Sequence, residues 1–137
     1  MGWSSVKITV DTNVLVRAVV RDDAKQSRAA VRVLREAELI AVPLPVLCEF
    51  VWVLRRVYSL SVEEISAAIE ALIGSKNVTV NRAAVEAGLD VLQQGGDFAD
   101  GLIAFEGRWL GGETFVSFDK QAVTLISSQG QPAKLLS

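Results

Sequence analysis

Short apolar runs alternate along this chain with stretches of helical periodicity, and that alternation restricts the fold more than any other feature. Val6 to Val10 reads as a short buried strand, Leu39 to Leu44 as a second, Val78-Thr79-Val80 as a third and residues 114–118 as a fourth. Asp11-Thr12-Asn13 turns the chain, and Val14 to Val20 begins a helix or a further apolar segment. After the polar break Arg21-Asp22-Asp23, Ser27 to Glu38 is an amphipathic helix, with Ala30, Val33, Leu34 and Ala37 recurring at i, i+3, i+4 and i+7. Pro45 suits the first turn of a helix running to about Tyr58. That helix is apolar almost all round, so it is expected to be largely buried.

Ser61-Val62-Glu63-Glu64 is a capping box, and Ile65, Ala68, Ile69 and Leu72 form the apolar stripe of the helix that Gly74 ends. Asn81 caps a helix carrying Val85, Leu89 and Leu92, stopped at Gly95-Gly96. Asp97 or Asp100 opens the next, through about Leu110, and Gly111-Gly112 breaks it. Lys120 to Ser127 reads as a short helix, and residues 130–137 as a tail with room for an edge strand. Strands alternating with helices pair in parallel, because parallel neighbours need a crossover connection. The expectation is α/β: one domain over 1–137, an α/β/α sandwich around a central, mostly parallel sheet of four to five strands.

A chain of 137 residues can bury about two-thirds of its unfolded surface and needs no staples. Half the residues are apolar and 22% are charged, the composition of a globular protein. One cysteine excludes an internal disulfide and any multi-cysteine metal site. Cys48 lies in an apolar run and reads as packing. No apolar stretch is long enough to span a membrane, and Met1 to Ser5 lacks the positive region and long apolar core of a signal peptide, so a cytoplasmic location is expected. The net charge of −2 exerts no global pull on nucleic acid, so an RNA contact would need a local basic strip.

Four acids stand out in this frame. Asp11 and Asp119 each close an apolar run, at the strand ends where parallel α/β folds place ligands. Glu49 interrupts the apolar run from Val46 to Leu54, and Asp100 opens Gly101-Leu102-Ile103-Ala104-Phe105. Carboxylates in such surroundings are costly unless paired, hydrogen-bonded or bound to metal, and four that converge need a cation. The chain has no histidine, which removes Ser-His and Cys-His nucleophile pairs and every histidine-based zinc site. Oxygen ligation by several carboxylates suits Mg²⁺ or Mn²⁺, and the usual task of such a site is hydrolysis or transfer at phosphorus. Plainer roles exist for each acid: an Asx turn for Asp11, helix caps for Asp97, Asp100 and Asp119, and a structural pair with Arg55 or Arg56 for Glu49.

At these residues the chain resembles the PIN-domain ribonucleases, most closely the VapC-like toxin half of VapBC-type toxin–antitoxin pairs. Val10-Asp11-Thr12-Asn13-Val14-Leu15-Val16-Arg17 resembles the family's first motif, and Glu49, in the helix after Pro45, its second acid. Asp97-Phe98-Ala99-Asp100-Gly101-Leu102-Ile103-Ala104 resembles the third motif and Phe115-Val116-Ser117-Phe118-Asp119-Lys120 the fourth. Each motif alone is weak, but the four in order cover nearly the whole chain. Gly101 stands where the third motif more usually has alanine, which points to a slight loss of helix propensity.

The resemblance implies a metal-dependent endoribonuclease toxin that hydrolyses RNA phosphodiesters, in structured RNA such as tRNA. Asp11, Glu49, Asp100 and Asp119 would be catalytic and would hold one or two Mg²⁺ or Mn²⁺ ions. Asn13 and Ser117 would orient the aspartates near them, and Asp97 would be an outer acid. Arg17, Arg55, Arg108 and Lys120 are candidates for RNA phosphate contacts. Trp3, Trp52 and Trp109 could stack on bases, but packing in the core or an interface is the plainer expectation, above all for Trp52. The implied partners are a second copy in a homodimer and a small antitoxin, through which alone DNA is contacted. The apolar helices around residues 45–73 are the expected contact region.

A haloacid-dehalogenase-like phosphatase also has an aspartate after its first strand, but it needs a second aspartate where this chain has Asn13. The alternatives within the resemblance are an RNA-processing nuclease outside toxin–antitoxin systems and a catalytically silent binding module.

Overall fold

The computed structural model describes residues 2–137. Met1, part of the opening stretch read above for a leader, lies outside the described residues. The chain divides into two compact units, Met1–Val80 and Asn81–Ser137.

The first unit runs β1 (Lys7–Thr9), α1 (Thr12–Val19), α2 (Ala24–Glu36), β2 (Leu39–Ala41), α3 (Leu44–Arg56), α4 (Val62–Ile73) and β3 (Val78–Thr79). The strands pair in the order β1-β2-β3, all parallel, with Ile8 opposite Ile40 and Ile40 opposite Val78. Two helices fill each crossover, as parallel pairing demands. Ile40, on the central strand, is fully buried, as are Leu47 and Leu54 of α3 and Ile65 and Ile69 of α4. α2 begins three residues before the expected Ser27, because the Asp23 carboxylate caps it, accepting from Gln26 N–H at 3.0 Å. The capping box of α4 is complete, with Ser61 N–H donating to Glu64 at 3.0 Å and Glu64 N–H to the Ser61 hydroxyl at 3.1 Å.

α3 departs from expectation. Leu47, Phe50, Val51 and Leu54 are buried, but Pro45, Glu49, Trp52 and Arg56 on the other side are exposed. The helix is half-covered, and Trp52 is 59% exposed instead of packed in the core. Apolar composition alone does not tell a covered face from an open one.

The second unit runs α5 (Arg82–Gln93), α6 (Phe98–Trp109), β4 (Phe115–Ser117), α7 (Lys120–Ser128) and β5 (Ala133–Leu135). The tail does add a strand: β5 pairs in parallel with β4, Val116 opposite Lys134. Val91, Ala104 and Ile126 bring α5, α6 and α7 into one buried cluster, flanked by Phe115, Leu125 and Ala133. α5 and α6 cross closely at two glycines. A Cβ on Gly88 would lie 2.8 Å from the Phe98 ring, and one on Gly101 would lie 2.4 Å from the Ala87 carbonyl oxygen. The alternation of elements, the α/β class and the parallel pairing are those the sequence predicts, with ladders of three strands in one unit and two in the other.

Candidate functional site

In the first unit the site residues gather where β1 hands the chain to α1. Asp11 has extended backbone (φ −94°, ψ 174°) and caps α1, its carboxylate accepting from Val14 N–H at 3.2 Å. It stays exposed, so the capping bond holds one oxygen and leaves the other toward solvent. Thr12, the next residue, is buried, and its hydroxyl donates to the Glu49 carboxylate. α1 packs on α3, which brings Glu49 to this junction. A group far off in sequence is thus tied to the residue beside Asp11.

Sequence reasoning gave Thr12 no role. The only signal was a hydroxyl directly after a site acid, and it becomes telling only with burial, which obliges a polar side chain to find a partner.

In the second unit three acids lie at helix N-termini. Asp97 caps α6, accepting from Ala99 N–H at 2.9 Å, which settles which aspartate opens that helix. Asp100 lies within its first turn and is half-buried. Burial raises the Asp100 carboxyl above its ordinary range, and the negative charges of Asp97 and then Asp119 push the same way. Asp119 caps α7, accepting from Ala122 N–H at 3.1 Å, and its own N–H donates to the Ser117 hydroxyl at 2.9 Å. Ser117 therefore fixes the backbone that carries Asp119. Helix N-terminal amides and the helix dipole favour negative charge at these positions. The capping roles and a site role are compatible, since each cap engages one carboxylate oxygen.

In each unit the donors are oxygen alone: carboxylates with the Thr12 hydroxyl beside them in the first, and with the Ser117 hydroxyl in the second. That chemistry fits a hard divalent cation such as Mg²⁺ or Mn²⁺. The mutual repulsion felt at Asp100 is what a cation would relieve. Among the described residues, no three acidic or cysteine side chains already stand at ion-holding spacing. The structure brings together Asp11, Thr12 and Glu49 in one unit, and Asp97, Asp100 and Asp119 in the other.

The basic candidates behave differently from one another. The Arg17 guanidinium donates to Asp22 at 2.6 Å, to Gln26 at 2.9 Å and to the Tyr58 hydroxyl at 3.3 Å, and Tyr58 in turn donates to Asp22 at 3.3 Å. The Tyr58 hydrogen bond, then the Asp22 charge, hold the Arg17 pKa above its ordinary value. This side chain is engaged within the fold. Arg108 is exposed and lines a shallow depression of about 340 Å³ with Phe105 and Trp109. Lys120 is exposed at the first position of α7, beside Asp119, and Arg55 is half-buried on α3.

No tryptophan is in the core: Trp3 is 38%, Trp52 59% and Trp109 77% exposed. Trp3 shares an open groove of about 760 Å³ with Asp11, Asn13 and Val14. Among the described residues no helix is long and apolar enough to cross a membrane.

Residues 8–124 match the family described as the PIN domain. The match runs from β1 into α7 and takes in Asp11, Glu49, Asp97, Asp100 and Asp119. No curated protein matches the chain.

Proposed function

The chain belongs to the PIN domain family, whose members are generally metal-dependent nucleases, and from that premise we propose that it is an endoribonuclease using Mg²⁺ or Mn²⁺. The observation that carries the reading is the set of acids itself. Each position of the four motifs keeps its carboxylate, and the fold anchors them: Asp11 by Val14 N–H, Glu49 by Thr12, and Asp119 by Ala122 N–H and Ser117.

Asp11, Glu49, Asp100 and Asp119 would hold one or two ions. A bound ion supplies a water of lowered pKa and a positive charge opposite the phosphodiester. The rest falls to the chain's own groups. Thr12 keeps one Glu49 oxygen engaged, so the carboxylate has a fixed direction. With no histidine in the chain, no imidazole serves proton transfer at the scissile group, and the groups gathered with the site acids that could do so are the carboxylates themselves and solvent.

The finer reading is a toxin of a type II toxin–antitoxin pair, acting in the cytoplasm on structured RNA such as tRNA, working as a homodimer and silenced by a small antitoxin that carries the DNA contact. Its support is the likeness of the four motifs to the VapC-like group and an apolar groove of about 190 Å³. Leu15 and Val19 of α1, Leu34 of α2 and Leu72 of α4 help to line this groove. It overlaps the 45–73 region expected to make protein contacts and offers a seat for the apolar side chains of an antitoxin segment.

The alternative is a PIN-like module that binds RNA without cutting it, which would be expected to lose one or more of the site acids that this chain keeps.

The test is purified protein with total tRNA, in Mg²⁺, Mn²⁺ or EDTA, beside Asp11→Asn and Asp100→Asn. Discrete cleavage that needs metal and drops at least about 100-fold in both variants supports the nuclease. Cleavage surviving both substitutions refutes the acid-site mechanism. Binding without cleavage under any condition selects the silent module. Growth arrest on expression, relieved by the product of an adjacent small gene, distinguishes a toxin from an RNA-processing enzyme.

A further inference from the structure

The open face of α3 carries more than a site acid. Pro45, Glu49, Trp52 and Arg56 are its exposed residues, and at 3.6 residues per turn they fall within an arc of about 60°. From Glu49 to Arg56 the strip runs about 10 Å along the axis at 1.5 Å per residue. That length matches about three nucleotides of a strand rising 3.4 Å each. In the middle stands Trp52, 59% exposed, with an acid of the site at one end and a guanidinium at the other.

We propose that this strip holds the RNA strand beside the acidic site: Trp52 stacks on an unpaired base, and Arg56 contacts a phosphate farther along. The proposal rests on the nuclease reading for what happens to the strand at Glu49. The stacking and phosphate contacts stand on the geometry of α3.

Two features favour a nucleic acid over a protein as the occupant. An interface core is a contiguous apolar patch with charge kept to its rim. Here a single indole is flanked by Glu49 and Arg56 within a turn on either side. Val57, the other large apolar residue exposed near this end, lies about 100° round the helix from Arg56 and does not extend the patch. Aromatic faces on which bases stack, beside cations that meet the backbone, are the elements that sequence-tolerant single-strand binding uses.

The second feature is charge. With a net charge of −2 the molecule attracts RNA only through local cations, and α3 ends in the pair Arg55-Arg56. The indole and the following cation therefore occupy the same face as Glu49, the site acid that α3 contributes. Trp52 and Arg56 are positioning residues, since neither touches the reacting atoms.

The experiment measures the binding of a fluorescein-labelled single-stranded 12-mer RNA in EDTA, where metal-dependent cleavage is off, by fluorescence anisotropy. Trp52→Ala should weaken binding by about 5- to 100-fold and Trp52→Phe by no more than about threefold, because stacking needs only an aromatic face. An abasic sugar-phosphate oligomer should bind wild type and Trp52→Ala alike. Arg56→Gln should flatten the salt dependence by about 0.7 in log–log slope, one phosphate's worth for a single strand. Melting temperatures should stay together, since both side chains are exposed.

Trp52→Ala binding the RNA within about twofold of wild type overturns the proposal, and so does a wild-type protein that binds no single-stranded RNA. Lost binding that accompanies conversion of a dimer to monomers in sedimentation also overturns it, because the face is then a contact between copies. Cleavage in Mg²⁺, followed in parallel, keeps the two readings apart. Cleavage with Trp52-independent binding refutes the strip and leaves the nuclease. Trp52-dependent binding with no cleavage of the oligomer or of total tRNA refutes the nuclease and supports the strip.

Discussion

Replacing Gly101 with alanine sets two effects against each other, and the structure gives the sign. In an open helix position the change should stabilise by about 1 kcal/mol, because alanine is the better helix former. At Gly101 the new Cβ would stand 2.4 Å from the Ala87 carbonyl oxygen, 2.8 Å from a Val91 methyl and 3.0 Å from the Ala87 carbonyl carbon. Ordinary contact begins near 3.4 Å, so the shortfall is about 1 Å, and the obstacle is largely α5 backbone, which cannot rotate away. The two helices must part, which also loosens the Phe98 ring over Gly88.

Overpacking of this kind costs about 1–3 kcal/mol, and a backbone obstacle places it at the upper end. Less the helix-propensity gain, the net is about 2 kcal/mol of destabilisation, or a melting temperature lower by about 8 °C at roughly 4 °C per kcal/mol. The control is Gly107→Ala on the same helix, where a Cβ meets nothing within 4 Å, so stability should hold or rise by up to about 1 kcal/mol. Urea and thermal unfolding of both variants decide it. A Gly101→Ala protein as stable as Gly107→Ala would refute the close-crossing argument.

Removing the Thr12 hydroxyl with Thr12→Val should lower RNA cleavage by about 10- to 100-fold, mainly in kcat, because Glu49 loses its donor; an unchanged kcat under saturating RNA would count against it. Asp100 should make the metal-free protein less stable as pH rises. Its folded pKa lies above the unfolded value, so the native state binds the proton more tightly. The destabilisation is absent below the unfolded pKa and complete above the folded one. Asp100→Asn should therefore be the more stable metal-free protein at pH 7, and its advantage should vanish toward pH 3 in pH-dependent urea unfolding. Mn²⁺ at about 100 times its Kd should stabilise the wild type by about 2.7 kcal/mol and Asp100→Asn by much less, read as a thermal shift.

Much of this was legible in the chain because local rules suffice for it. β1, the Ser61–Glu64 capping box, the Asn81 cap and the close of α4 at Gly74 follow from neighbours a few residues apart. What was not legible depends on distant partners. Gly101 reads from sequence as a weak helix position, and only the approach of α5 explains it. Asp97 and Asp100 are equally good caps by type, and the choice falls to Asp97 because a helix starting at Phe98 seats that ring, 1% exposed, against Gly88. Trp52 looks like core until α3 is seen to have an open side, and Thr12 gains a purpose only once α3 brings Glu49 to it. Arg17 resembles any surface cation until Tyr58 closes the ring around it.

Asp11, Asp97 and Asp119 start helices, and this has a consequence for how relatives of this chain should be read. A lineage that abandoned catalysis would still need something at those places to begin its helices. Selection for folding would then keep aspartate there, or let it drift to asparagine or serine, long after the chemistry had gone. Those carboxylates are poor witnesses to activity, and asparagine is the substitution that removes charge while sparing the helix start. Glu49 and Asp100 begin nothing: Glu49 lies exposed in mid-helix, holding the Thr12 hydroxyl, and Asp100 stands inside the first turn of α6, where burial and its neighbours' charges disfavour its ionised form. Of the two, Asp100 has the less structural reason to persist, and in a comparison of many such sequences its loss would be the first mark of a retired enzyme.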